Sequence, residues 1–372
     1  MPNEIQMNNV PKISVGSLAD YLIASISTVV WKGLPLSLLP APMLWGAPGV
    51  GKSQLVRQVA EGVQKKTGKK VKVTDIRLLL YNPIDLRGIP VANAEKDAAV
   101  WLKPIVFQMD DSEDVLNFLL LDEITAAPQS VQAAAYQITL DRKIGEHQLP
   151  DNCVVIAAGN RTTDRSVAYK MPKALANRLM HFEVESNYDS WRKWAVEKGV
   201  NEKVLGFLAF RRDYLMNFNA ATEDVAFATP RSWEMASNVL NSVSSDVEQI
   251  YPLLAAILGT GVASELRTWA KVYKNLPSVE DIFAGKTPPL PTGSDALYAL
   301  VSSMAAYAKA HPDDMKGLEN SMSYAMRLPA DFSAVLMKDY LYMEKGNREK
   351  LMALPTFLRW VRLHGGSLNG II

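Results

Sequence analysis

Residues 46–53 read Gly-Ala-Pro-Gly-Val-Gly-Lys-Ser, a Gly-x4-Gly-Lys-Ser pattern whose residue types suit one task, holding phosphate. Glycine lets the backbone curl until successive N–H groups point inward at an anion. A helix that begins at the loop adds its free amides and the positive end of its dipole. In that setting Lys52 reaches the β- and γ-phosphates of a nucleotide, and Ser53 offers its hydroxyl to Mg2+. Gly46, Ala47, Pro48, Gly49, Val50, Gly51, Lys52, Ser53 and Gln54 are therefore the expected phosphate-facing segment.

A second group stands at 118–123, Phe-Leu-Leu-Leu-Asp-Glu. Four apolar residues followed by two acids put both carboxylates at the carboxyl end of a buried strand, where an open α/β sheet keeps its ligand. Asp122 is placed to hold Mg2+ through water, and Glu123 to polarise the attacking water as general base. The same pair also fits a plain helix cap; the phosphate loop upstream favours catalysis. Asn160, directly after the apolar run 153–158 and Gly159, either orients water against the γ-phosphate or occupies a turn. Arg178 precedes a further apolar strand, and Arg231 follows Thr229-Pro230, a cap and first-turn proline that set it in the first turn of a helix. A guanidinium stabilises phosphoryl-transfer charge, in cis or from a neighbouring subunit, although each arginine alone also reads as a solvated surface charge. Arg142, Arg161 and Arg165 are weaker candidates for such contacts.

The elements that must position these groups follow from periodicity. Residues 15–32 have helical spacing, with Leu18, Leu22, Ile23, Ile26 and Val30 on one side. A proline-rich connector over 33–42 leads to the short strand Pro42-Met43-Leu44-Trp45, and the segment after Lys52 turns helical until Gly62 and Gly68. Further strands are expected at 71–80, 115–122, 153–158 and 180–185, with a helix at about 127–140. Residues 82–108 carry Asn82-Pro83, Gly88 and Pro90 and read as an inserted hairpin, and 142–151 as a second, shorter one. Strands alternating with helices over 40–186 imply an α/β fold, a parallel sheet covered on both faces. From 187 onward the pattern is helical, near 189–198, 202–217, 231–243, 247–274, 293–310 and 332–344, interrupted by connectors at 284–293 and 365–370.

The bulk numbers exclude several classes. With 372 residues the chain holds two or three folding units. A net charge of +1 advertises neither a nucleic-acid surface nor a membrane surface. No stretch approaches a membrane span, and the segment MPNEIQMNNVPK lacks the apolar core of a signal peptide. The single cysteine, Cys153, lies in an apolar run, so it reads as a small buried hydrophobe in a reducing, cytoplasmic protein. His147, His181, His311 and His364 lack metal spacing, Trp191 and Trp194 read as packing residues, and the lysines at 65, 66, 69, 70 and 72 read as a solvated edge.

In order and spacing, Gly46–Ser53, the segment Asn82-Pro83-Ile84-Asp85-Leu86-Arg87-Gly88, Leu120–Glu123, the hairpin 142–151, Ala158-Gly159-Asn160, Arg178 and Thr229-Pro230-Arg231 resemble the MoxR-type branch of the AAA+ ATPases, especially members similar to the CbbQ and NorQ proteins. The resemblance covers 40–245. It implies a AAA+ P-loop core over 1–186 with an N-terminal helix, an α-helical lid over 187–275 and a helical C-terminal extension over 276–372. It implies ATP and Mg2+ as ligands, Asn160 as sensor 1, Arg178 as an arginine finger acting in trans and Arg231 as sensor 2. It further implies a homo-oligomeric, usually hexameric ring with ATP at subunit interfaces. The two hairpins are implied to face a pore or a substrate. The implied partners are a protein bearing a von Willebrand factor A domain and a client protein that is remodelled or assisted in cofactor insertion. Three other functions fit parts of the pattern. A nucleic-acid motor or loader would need a basic, aromatic-rich groove, a nucleotide-gated scaffold would have no use for Asp122, Glu123, Asn160 and Arg178 together, and a small-molecule kinase would need neither a trans arginine nor a lid.

Overall fold

The computed structural model describes residues 9–164, 171, 173–342 and 345–364. The chain divides into two compact units, Met1–Asn187 with Asn219–Thr222, and Tyr188–Phe218 with Glu223–Ile372.

The first unit runs β1 (Lys12–Ser14), α1 (Val15–Trp31), β2 (Pro42–Trp45), α2 (Lys52–Thr67), β3 (Lys70–Arg77), α3 (Pro83–Arg87), β4 (Ile89–Ala92), β5 (Ala99–Leu102), β6 (Val115–Asp122), α4 (Gln129–Leu140), β7 (Lys143–Ile144), β8 (His147–Gln148), β9 (Cys153–Gly159), α5 (Lys173–Ala176) and β10 (Met180–Glu185). Six strands form one sheet in the order β1-β10-β2-β9-β6-β3, and every pairing in it is parallel. Parallel strands need crossovers, and the helices that supply them cover both faces. Side-chain alternation sorts the apolar residues accordingly. Leu44, Phe118, Leu120, Ile156 and Val184 pack in one cluster with Leu18, Leu22, Val56 and Val59 of α1 and α2. Met43, Trp45, Leu119, Leu121 and Val155 pack on the other side with Val131, Ala135 and Ile138 of α4. Cys153 is fully buried, and that burial pushes its thiol up to about 12.

β1 is an addition to the five strands expected from the sequence. Its three residues are too few to show a period, yet they pair with β10 from Lys12↔Glu183 to Ser14↔Glu185. Ser14 then caps α1, accepting the Ser17 N–H at 3.2 Å. Both hairpins are present: β4 pairs antiparallel with β5, and β7 with β8. Asn82 and Asp85 form a capping box at α3, with Pro83 in its first turn. His147 Nε2 lies 2.8 Å from the Trp101 carbonyl, so this histidine ties one hairpin to the other. His181 is structural too, with Nδ1 accepting from Trp45 Nε1 at 2.9 Å. On the lysine edge, Lys72 pairs with Asp110 at 2.7 Å and holds its carboxyl well below the usual carboxylate range.

The second unit is helical: α6 (Tyr188–Lys198), α7 (Glu202–Phe210), α8 (Pro230–Ser242), α9 (Tyr251–Leu258), α10 (Thr260–Ala270), α11 (Val279–Phe283), α12 (Ser294–Ala310), α13 (Met315–Ala325), α14 (Ala330–Leu341), α15 (Lys345–Ala353) and α16 (Pro355–His364). The expected helix over 247–274 is two helices, because Gly259 adopts φ +84° and a Cβ there would lie 2.8 Å from the Ala226 carbonyl oxygen. The segment expected over 202–217 leaves the α-helix after Phe210 and ends in a 3-10 turn, Arg212–Leu215. α11, α13, α15 and α16 are additions to the helices expected from the sequence; α13 buries Leu318 and Met322 along with Gly317 and Ser321. The connector expected over 365–370 lies outside the described residues.

Two apolar clusters fill this unit, one centred on Trp233, Phe207, Leu254 and Trp269, the other on Trp360, Tyr340, Met304 and Leu300. Trp191 belongs to the first cluster and Trp194 packs against it. A buried ion pair links helices far apart in sequence. The Arg192 guanidinium of α6 donates from Nε to Asp339 Oδ1 of α14 at 2.9 Å, and from Nη1 to Tyr188 Oη at 2.8 Å and the Leu205 carbonyl at 3.0 Å. Burial disfavours the charge on Arg192, and Asp339 more than offsets it, so the guanidinium pKa is raised. Removing one member strands the other. Arg192→Met is expected to destabilise the second unit by about 3–5 kcal/mol, read from the denaturant midpoint, while Arg192→Met combined with Asp339→Leu recovers most of that loss.

Candidate functional site

β2 ends at Trp45 and the chain enters the phosphate loop at the carboxyl edge of the sheet. Gly49 and Gly51 take φ of +77° and +110°, a region that side-chain-bearing residues rarely adopt. Gly46 answers a different need. A Cβ there would sit 2.8 Å from the Val184 carbonyl oxygen of β10, a backbone atom that cannot step aside. Lys52 is the first residue of α2, so the amides of that helix open into the loop.

Seven of the expected residues meet here through hydrogen bonds. Lys52 is 9% exposed, and its ammonium donates to the Gly46 carbonyl at 2.7 Å, the Ala47 carbonyl at 3.2 Å and Asn160 Oδ1 at 2.8 Å. Ser53 Oγ donates to Asp122 Oδ2 at 2.8 Å. The other carboxylate oxygen, Oδ1, accepts the Glu123 N–H at 2.8 Å. Ser53 and Asp122 thus form a compact set of hard oxygen donors, the kind that suits Mg2+ alongside phosphate oxygens. Asp75 of β3 responds to the same concentration of negative charge: burial raises its pKa, and the Asp122 carboxylate raises it further. Among the described residues no cluster of three His, Cys, Asp or Glu side chains exists that could hold a metal by itself.

Glu123 adopts φ +58°, which turns the chain abruptly out of β6. Its half-buried carboxylate has no hydrogen bond or ion pair among the described residues. A left-handed non-glycine residue is strained, and the loop that follows over-determines it: the Glu123 carbonyl accepts the Ala126 N–H at 3.0 Å and the Ala127 N–H at 3.2 Å.

The two arginines do not join this group. Arg178 is exposed and lines a cleft of about 430 Å3 with Pro40, Ala41, Leu179 and Met180, at the amino ends of β2 and β10, opposite the phosphate loop. Arg231 belongs to the second unit, exposed in the first turn of α8, whose cap Thr229 accepts the Ser232 N–H at 3.2 Å. The weaker arginines are engaged within the chain. Arg161 Nη2 bonds Asp164 Oδ1 at 2.7 Å and its Nη1 bonds Glu183 Oε1 at 2.5 Å. Arg142 donates to the Pro150 and Cys153 carbonyls, which pins the base of the β7–β8 hairpin. Arg165 lies outside the described residues. Sequence reasoning did not single out Thr125, whose hydroxyl bonds the Asn160 backbone. A hydroxyl residue two places after Glu123 was the available signal, but its partner is remote in sequence.

The geometry makes Gly46 a sharp test of the loop. Gly46→Ala is expected to weaken nucleotide binding at least about tenfold and to lower stability by about 1–3 kcal/mol through overpacking. Titration with a fluorescent ATP analogue and denaturant unfolding measure the two effects.

Residues 42–181 match the model of the ATPase family associated with various cellular activities (AAA). No curated protein matches the chain. Similar solved structures include a point mutant of RuvB from Thermotoga maritima, 14% identical, covering 80% of this chain and 87% of that chain with a TM-score of 0.35. NtrX from Brucella abortus is 12% identical, covering 86% of this chain and 67% of that one with a TM-score of 0.34. The HORMA:CdnC:Trip13 complex of E. coli contributes a chain 12% identical, covering 78% of this chain and 88% of that one with a TM-score of 0.32. The family match encloses the phosphate loop, Asp122, Glu123 and Asn160, and over residues 42–181 this chain is similar to that family.

Proposed function

We propose that the chain is a Mg2+-dependent ATP hydrolase of the MoxR-type AAA+ branch, similar to the CbbQ and NorQ proteins. It works as a homo-oligomeric ring, hexameric in form, and couples turnover to the remodelling or chaperone-like activation of a client protein. The observation that carries the hydrolytic part is the joined pair of contacts Ser53–Asp122 and Lys52–Asn160, with the neighbouring Glu123 carboxylate unengaged among the described residues.

Residues 46–54 bind the triphosphate of ATP. Its phosphate oxygens replace the Gly46 and Ala47 carbonyls as partners of the Lys52 ammonium. Ser53 and Asp122 hold Mg2+, which when bound neutralises charge on the phosphates. Glu123 takes the proton of the attacking water, and the Asn160 amide orients that water. Arg178 lies away from its own loop, so it serves the phosphates of a neighbouring subunit as an arginine finger, a group that stabilises transition-state charge. Residues 187–275 act as the lid that carries Arg231 as sensor 2, with 276–372 as an extension. The hairpins within 84–108 and 142–151 face the pore or the client, and a protein with a von Willebrand factor A domain is the partner. Among the described residues no helix is long and apolar enough to cross a membrane.

Glu123→Gln is expected to retain ATP binding and lower kcat by about 10²–10⁴-fold, the usual worth of a general base; normal turnover would discard the assignment. Chelation of divalent cations should abolish hydrolysis and added Mg2+ should restore it. Rings mixed from Arg178→Ala and Lys52→Ala subunits should regain activity that neither variant has alone. Assembled mixed rings without that rescue would place the finger elsewhere. The Glu123→Gln protein loaded with ATP is the bait for client and partner, with mass spectrometry as the readout.

A further inference from the structure

Thr125 is 2% exposed and stands two residues after Glu123. Its single hydroxyl serves both backbone groups of Asn160: Oγ1 accepts the Asn160 N–H at 3.1 Å and donates to the Asn160 carbonyl at 3.3 Å. The reason lies in the backbone. β6 and β9 pair in register as far as Leu121↔Ala157. The left-handed Glu123 then swings the chain away, and the Ile124 N–H makes the last backbone bond, to the Ala158 carbonyl at 3.0 Å. Beyond it no strand among the described residues pairs with Asn160, and the Thr125 side chain takes the place of the missing backbone.

The space around this contact is cleared for it. A Cβ on Gly159 would lie 2.7 Å from both Cγ2 and Oγ1 of Thr125, so glycine before Asn160 makes room for the threonine. Thr125 is itself held. Gln132, 3% exposed, donates from Nε2 to the Thr125 carbonyl at 3.3 Å and the Ala127 carbonyl at 3.0 Å, and its Oε1 accepts from Tyr136 Oη at 2.6 Å. Asn160 is therefore gripped at its backbone by Thr125 and at its amide by Lys52.

We infer that Thr125 is a positioning residue for the hydrolytic step: its hydroxyl locks the Asn160 backbone to the loop bearing Glu123, so that the amide and the general base face the same water at fixed separation. It touches no reacting atom. The inference rests on the hydrolysis of ATP proposed for this site. Losing such a register misplaces a catalytic group by a fraction of a bond length or more, which affects turnover far more than nucleotide binding.

Thr125→Val keeps shape and removes the hydroxyl; Thr125→Ser keeps the hydroxyl and removes the methyl; Thr125→Ala serves if the valine variant does not fold. Each is assayed for kcat, for Kd of a fluorescent ATP analogue and for thermal unfolding, beside wild type. The valine or alanine variant is expected to lose about 10²-fold in kcat with nearly unchanged Kd, and serine to recover most of the rate. Three results overturn the inference alone, provided wild type hydrolyses ATP: wild-type kcat in the valine or alanine variant, a serine variant as slow as valine, or parallel loss of kcat and affinity. Absence of hydrolysis by wild type overturns the proposed function and this inference together.

Discussion

Lys52 is nine-tenths buried, and an ammonium in that position needs hydrogen-bond acceptors. Two come from the loop itself, the Gly46 and Ala47 carbonyls, and the third is the Asn160 amide oxygen. That demand draws the end of β9 against the end of β2 and defines where the phosphate loop closes. The strand order follows suit, because β2 and β9 are neighbours at the centre of the sheet and their carboxyl ends emerge side by side. Ser53 then falls opposite Asp122 at the end of β6.

Strain and order at this edge are linked. Glu123 leaves β6 in a left-handed conformation, its carboxylate without a partner among the described residues, and the β6–β9 ladder ends just before it. The loop after it is held by backbone bonds to the Glu123 carbonyl and by Gln132 beneath. A strained turn that persists under so many constraints is the arrangement expected where a catalytic group must be presented rather than buried. The second unit solves a different problem with the same physics. Arg192 and Asp339 are buried charges that only each other and a few polar neighbours make tolerable, and the pair fixes α6 against α14 inside that unit.

Much of this was legible in the chain. The glycine spacing of 46–53, the apolar run ending in Asp122 and Glu123, and the short strand before Asn160 are local patterns, and each lies where that pattern places it. Five strands of the sheet and both hairpins were legible for the same reason, since period and turn residues are properties of neighbouring positions. The parts that escaped have non-local causes. β1 is too short to show a period and exists because β10 offers an edge. The break at Gly259 depends on the Ala226 carbonyl, far away in sequence.

By itself the sequence determined that a phosphate loop, a pair of strand-end acids and an asparagine exist in an α/β unit, because backbone freedom, strand burial and helix dipoles act over a few residues. Only the tertiary structure decided which of them touch. It joined Lys52 to Asn160 and Ser53 to Asp122, left Arg178 at the far end of β2 and β10, and gave Arg142 and Arg161 to partners within the chain. It also assigned Thr125 to Asn160, a contact 35 positions apart. Such contacts depend on strand order and on where each strand stops, and those are settled by the packing of the whole sheet rather than by any stretch of it.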